Sequence, residues 1–158
     1  MKLPPSPWSF LREVLEREPG RRLSARIFFA REELASLGLS PTSRGGVPES
    51  LLIECCAQAA GLCLLLEEGA RESLPVLARV NEARFGGALA PGNWARVEVK
   101  LIHQTENGAE FEGQIHLENA SQLLLQVRFI LGFTSLSELP DQGQLLSSRM
   151  ADLKRQMN

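Results

Sequence analysis

From Leu51 to Leu66 every residue is apolar or small except Glu54 and Gln58. A run of that length and evenness reads as a helix that is apolar nearly all round. Such a helix has to be covered on every side, so the rest of the chain must wrap around it. Glu54 and Gln58 are four apart and share one helix face, with Ser50 one turn earlier and Gly61 roughly one turn later. An ionised carboxylate in apolar surroundings is costly unless it is paired, hydrogen-bonded or protonated. Glu54 is therefore kept for structure or for chemistry.

The 158 residues fit one domain, and a hydrophobic content of 44% is enough for a core. The net charge of −2 points to neither nucleic acid nor an anionic membrane. Cys55, Cys56 and Cys63 all lie on the apolar helix and show no CxxC metal spacing. They read as small buried hydrophobes in a reducing compartment, and no metal or cofactor is expected. Met1 to Gly20 lacks an apolar export signal, and the helix is too short and too polar at Glu54 and Gln58 to span a membrane. The expectation is a cytoplasmic protein.

Trp8 to Glu18 reads as a short helix ended by Pro19-Gly20. Leu23, Ala25, Ile27 and Phe29 alternate as in a strand, and Leu39 to Gly46 reads as loop. Pro48 suits the first turn of the central helix, Glu49 its positive end and Gly69 its stop. The period then switches to alternation. Strands are expected over Pro75 to Phe85, Ala95 to Leu101, Phe111 to Leu117 and Gln122 to Phe133, the last covered on both faces. Asn107-Gly108 marks a hairpin. The domain is placed at 1–133. A polar tail follows at 134–158, where Leu146, Met150, Leu153 and Met157 fit an amphipathic helix and disorder fits equally. The fold class is α+β: a curled antiparallel sheet around one long helix. Five or six strands cover only part of that helix, so a second subunit is expected to close the rest.

Several segments, in this order, resemble the hotdog-fold 3-hydroxyacyl-acyl-carrier-protein dehydratases. They are Pro7-Trp8-Ser9-Phe10-Leu11 with Leu15 to Arg22; Val47-Pro48 with Leu51 to Glu54 and Ala57 to Gly61; Ala83-Arg84-Phe85; and Leu89 to Gly92. The resemblance implies the hotdog fold and the syn removal of water from a 3-hydroxyacyl thioester. A histidine takes the proton beside the thioester carbonyl. A helix carboxylic acid from the other subunit protonates the leaving hydroxyl, and a backbone N–H near the helix start polarises the carbonyl.

Glu54 falls on the position of the acid and Gln58 on the glutamine one turn later. Fourteen residues before Glu54, where the family has its histidine, stands Ser40, in Ser40-Pro41-Thr42-Ser43. Glu49 replaces the glycine after the helix-start proline. His103 and His116 read as ordinary strand histidines, His116 facing solvent and His103 on the inward parity near the hairpin. The candidate catalytic residues are thus Glu54 and Ser40, with Ser40 inactive as a base. Val47, Pro48, Glu49, Gln58 and Phe85 are the candidate substrate-binding residues. Glu49 reads as a substitute group in the first turn or as an acid complementing the dipole. Relatives that hydrolyse thioesters use a single helix carboxylate, so a lone Glu54 would activate water or attack directly.

The partners implied are an acyl thioester on acyl carrier protein and a second copy of the chain. A higher homo-oligomer, a scaffold role, or a hetero-oligomer with an active relative stays open. The carrier is acidic. Arg79, Arg84, Arg96, Lys100 and Arg128 either meet it or form a solvated face, and the basic residues that often follow Ala-Arg-Phe are here Gly86-Gly87.

Overall fold

The computed structural model describes residues 10–67 and 73–135. The elements are β1 (Leu11–Glu18), β2 (Arg22–Phe28), α1 (Arg31–Ser36), α2 (Glu49–Leu65), β3 (Ser73–Phe85), β4 (Trp94–Gln104), β5 (Gly108–Leu117) and β6 (Leu123–Ser135). The strands form one antiparallel sheet in the order β1-β2-β4-β5-β6-β3. The sheet curls around α2, which touches all six strands. This is the hotdog arrangement.

Alternation in the sequence becomes the core. Leu23, Ala25 and Ile27 of β2, Ala95, Val97 and Val99 of β4, Phe111 and Ile115 of β5, and Leu125, Val127, Phe129 and Leu131 of β6 are buried. They meet Leu52, Cys55, Cys56, Ala59, Ala60 and Cys63 of α2, all buried. Full burial of one Phe or Leu stabilises by about 1.5–3 kcal/mol, so this layer holds sheet to helix.

Several local expectations change. The segment before Pro19 is a strand, not a helix. Register shifts between Leu11 and Glu13 and between Val14 and Glu16 interrupt β1. They leave the buried Leu11 and Val14 three apart, a helix-like spacing produced by bulges. Pro48 precedes the first turn instead of sitting in it, with an extended ψ of 132°. The helix is complete by Leu65; Gly69 lies outside the described residues, as do Met1 to Ser9 and the tail from Leu136. α1 carries no sequence period because it is too short, yet it buries Leu34 and its Glu33 carboxylate accepts the Ala30 N–H at 3.4 Å. Strand β6 is buried on both parities only at Leu124-Leu125; beyond them one face is open, with Gln126 and Ile130 half-exposed and Arg128 exposed.

Candidate functional site

Between Glu49-Ser50, exposed at its start, and its last residue, α2 has few half-buried positions. Ile53 is one; Leu51, Glu54, Gln58 and Leu65 are the others. Those four recur on one helical face. Glu54, the acid within the apolar run of the helix, therefore lies on its least buried face. Glu54 is half-buried, less enclosed within one chain than the apolar run suggests.

Its position is set by hydrogen bonds. Gln58 Nε2 donates to Glu54 Oε1 at 3.0 Å, and Gln58 Oε1 accepts the Phe10 backbone N–H at 2.9 Å. Phe10 is itself buried, its ring 5.3 Å from that of Phe29. The acid is thus tied through one amide to the chain just before β1. Sequence reasoning missed this link, which joins residues 48 apart.

The open stripe borders β3. Gly61, on its flank, leaves room for Pro75: a Cβ there would stand 3.3 Å from Pro75 Cγ. Farther along, Leu77, Val80 and Phe85 pair with Leu131, Phe129 and Leu125, which are buried. Directly opposed residues share a face, so these three point to the helix side of the sheet. They are nevertheless 38–39% exposed, because β3 is an edge strand paired on one side only, with β6. The acid stripe and these apolar β3 residues are thus both partly open within one chain.

At the helix start Val47 is buried and its N–H donates to the Leu89 carbonyl at 2.7 Å. The loop before it is closed by Thr42, whose Oγ1 accepts the Gly46 N–H at 3.2 Å and whose N–H donates to the Gly46 carbonyl at 2.8 Å. Ser40 is exposed just ahead of this loop. Glu49 is exposed at the first helical position, five residues from Glu54, which puts it about 140° away around the helix. Phe85 closes β3, and Pro48 is half-buried.

The histidines lie elsewhere. His116 lies on the outer parity of β5 with Glu112 and Gln114, half-buried, its Nε2 3.2 Å from Gln114 Oε1. His103 is exposed and not inward, because the register shifts between Leu101 and His103. Three of the five cations singled out in the sequence are paired: Arg84 with Glu82, Arg96 with Glu16 and Glu98, and Arg128 with Glu110. Gly86 cannot carry a basic side chain as the loop stands, since a Cβ would lie 2.5 Å from the Leu123 carbonyl oxygen. The cysteines are free and buried; burial pushes the Cys63 thiol up to about 11 and raises Cys56 further. No cluster of three or more His, Cys, Asp or Glu among the described residues is placed to hold a metal, and no helix there is long and apolar enough to cross a membrane.

This arrangement has counterparts among known proteins. No family model matches the chain. It is 31% identical over 96 residues to the 3-hydroxyacyl-[acyl-carrier-protein] dehydratase FabZ of Symbiobacterium thermophilum, covering 61% of this chain and 67% of that one. To FabZ of Shewanella woodyi it is 29% identical over 114 residues, covering 71% and 74%. Among solved structures it resembles the dehydratase heterocomplex ApeI:P from Xenorhabdus doucetiae, with a TM-score of 0.69, 22% identity and 90% and 91% of the two chains covered. The smu.793 protein of Streptococcus mutans, solved with acetyl-CoA, aligns with a TM-score of 0.60 at 11% identity over 78% and 88%. These two likenesses show the hotdog fold, which the strand order and central helix already display. With the helix motif, the acid and the sequence identity in agreement, the chain belongs to the 3-hydroxyacyl-[acyl-carrier-protein] dehydratase family.

Proposed function

We propose that the protein binds a 3-hydroxyacyl or enoyl thioester, delivered by acyl carrier protein in the cytoplasm, in a cleft completed by a second copy, with Glu54 as its general acid. The observation that carries this is the placement of Glu54. It lies on the one open stripe of α2, held by Gln58 and bordered by apolar β3 residues that are 38–39% exposed. Pairing of two copies along the free edge of β3 would enclose the stripe and remove an unpaired strand edge. An acid in such a cleft protonates a leaving hydroxyl; Val47, Pro48, Glu49 and Phe85 line the approach to it in this reading.

The base is the weak point of the site. Ser40 stands at the histidine position, so dehydration by a homodimer is slow. That observation favours a second reading, in which the chain is an acyl-binding subunit whose partner is an active relative. A third outcome, hydrolysis through Glu54 alone, follows from the same geometry. Incubating the protein with 3-hydroxyacyl, enoyl and saturated acyl thioesters, with products read by mass spectrometry, separates the three. Glu54-dependent dehydration supports the first, no turnover the second and Glu54-dependent hydrolysis the third.

A further inference from the structure

We propose that Pro75 sets the length of acyl chain the protein accepts, by closing the open stripe of α2 about two turns beyond Glu54. The inference rests on the reading above, with an acyl thioester lying along that stripe and its C3 beside Glu54. The two ends of the stripe differ in chemistry. At the helix start Glu49 and Ser50 are polar and exposed. Toward the helix end the same face carries Gly61 and Leu65, with Leu62 beside them. An apolar chain gains by leaving water only in the second direction. The thioester therefore lies toward the helix start and the chain runs toward its end.

That path is interrupted. Gly61 is seven residues past Glu54, which turns it only about 20° around the helix. Glycine weakens a helix interior, so its presence there needs a reason. The reason is β3, which comes down onto the helix at this point: a Cβ on Gly61 would stand 3.3 Å from Pro75 Cγ and 4.0 Å from Pro75 Cβ. The proline ring is tied to the backbone and cannot swing aside as a longer side chain would. Leu65, one turn further on, lies behind it. From Glu54 to Gly61 the helix rises ~10 Å. An extended alkyl chain advances ~1.3 Å per carbon, so this stretch holds roughly eight carbons beyond C3. Chains up to decanoyl or dodecanoyl fit, and longer ones meet the ring.

The test uses the full chain and saturated acyl-coenzyme A thioesters from hexanoyl to hexadecanoyl, with affinity read by calorimetry, so it needs no turnover. In the wild type, affinity should rise roughly fourfold per CH₂ up to decanoyl or dodecanoyl and then level off or fall. Pro75→Ala, which removes Cγ, should move that break to longer chains and strengthen hexadecanoyl binding ~10-fold or more. Leu65→Ala should weaken hexadecanoyl binding in the Pro75→Ala protein and change no affinity up to the break in the wild type. An affinity that climbs unbroken through hexadecanoyl, or a break that Pro75→Ala leaves in place, overturns the inference and leaves acyl binding intact. No binding at any length overturns the acyl-binding reading and this inference with it. Should Pro75→Ala fail to fold, the wild-type series and Leu65→Ala decide it, and a loss of decanoyl affinity in Leu65→Ala overturns it.

Discussion

A serine hydroxyl accepts a proton only feebly near neutral pH, so Ser40 cannot take one from carbon without a base of its own. Glu49 is exposed at the helix start, about 140° around the helix from Glu54. Ser40→His is therefore expected to bring dehydration of a 3-hydroxyacyl thioester into the measurable range, since a general base typically contributes ~10²–10⁴-fold. Glu54→Gln should abolish the gain, and Glu49→Gly beside Ser40→His should be needed if the Glu49 side chain obstructs the helix start. Wild-type turnover that Glu54→Gln leaves unchanged would sink this assignment. The cysteines make a separate prediction. Cys63 stays a thiol up to about 11 when folded, against an ordinary value near 9. Its folded pKa is raised, so its contribution to stability is full below about 9 and is lost as pH rises toward about 11. Denaturant midpoints should fall across that interval, and a Cys63→Ala variant should show a shallower fall. Equal slopes would show that another group governs the alkaline loss. At this scale Glu54 and Gln58 were visible in the sequence as polar residues in an apolar run. Their tie to Phe10 was not, because no local pattern announces a backbone donor 48 residues away.

Periodicity reported the elements well where it was unbroken. The alternation over β2, β4 and β5 and the even apolar run of α2 each lead to the element that forms. It failed where bulges intervene. In β1 the spacing of Leu11 and Val14 imitates a helix, and in β4 the shift after Leu101 turns His103 away from the interior. The Gly86-Gly87 pair is the instructive case. In sequence it looks like the loss of two charges; in the fold it is a close approach of two chain segments. Gly86→Lys should cost about 1–3 kcal/mol, because its Cβ would meet the Leu123 carbonyl oxygen at 2.5 Å and the loop must move. Chemical denaturation measures this directly. A variant as stable as the wild type would mean that the Leu123 turn yields freely and that the glycine was not required by packing.

For the whole molecule the decisive feature is the edge position of β3. A 13-residue edge strand with Leu77, Val80 and Phe85 uncovered is a strong pairing site. Light scattering at micromolar concentration is expected to give about twice 17.4 kDa. Val80→Lys should shift the protein toward the monomer by placing a charge in that apolar strip, and a wild-type monomer would remove the support for a cleft between copies. The sequence alone determined the central helix with its acid, the strands with regular alternation, the Asn107-Gly108 hairpin and the class of fold, because these depend on propensity and periodicity over a few residues. Which strand became the exposed edge, which side of α2 stayed open, what holds Glu54 and why no side chain fits at Gly86 were decided only by tertiary structure. Each depends on strand order and register, which are fixed by contacts between residues far apart in the chain.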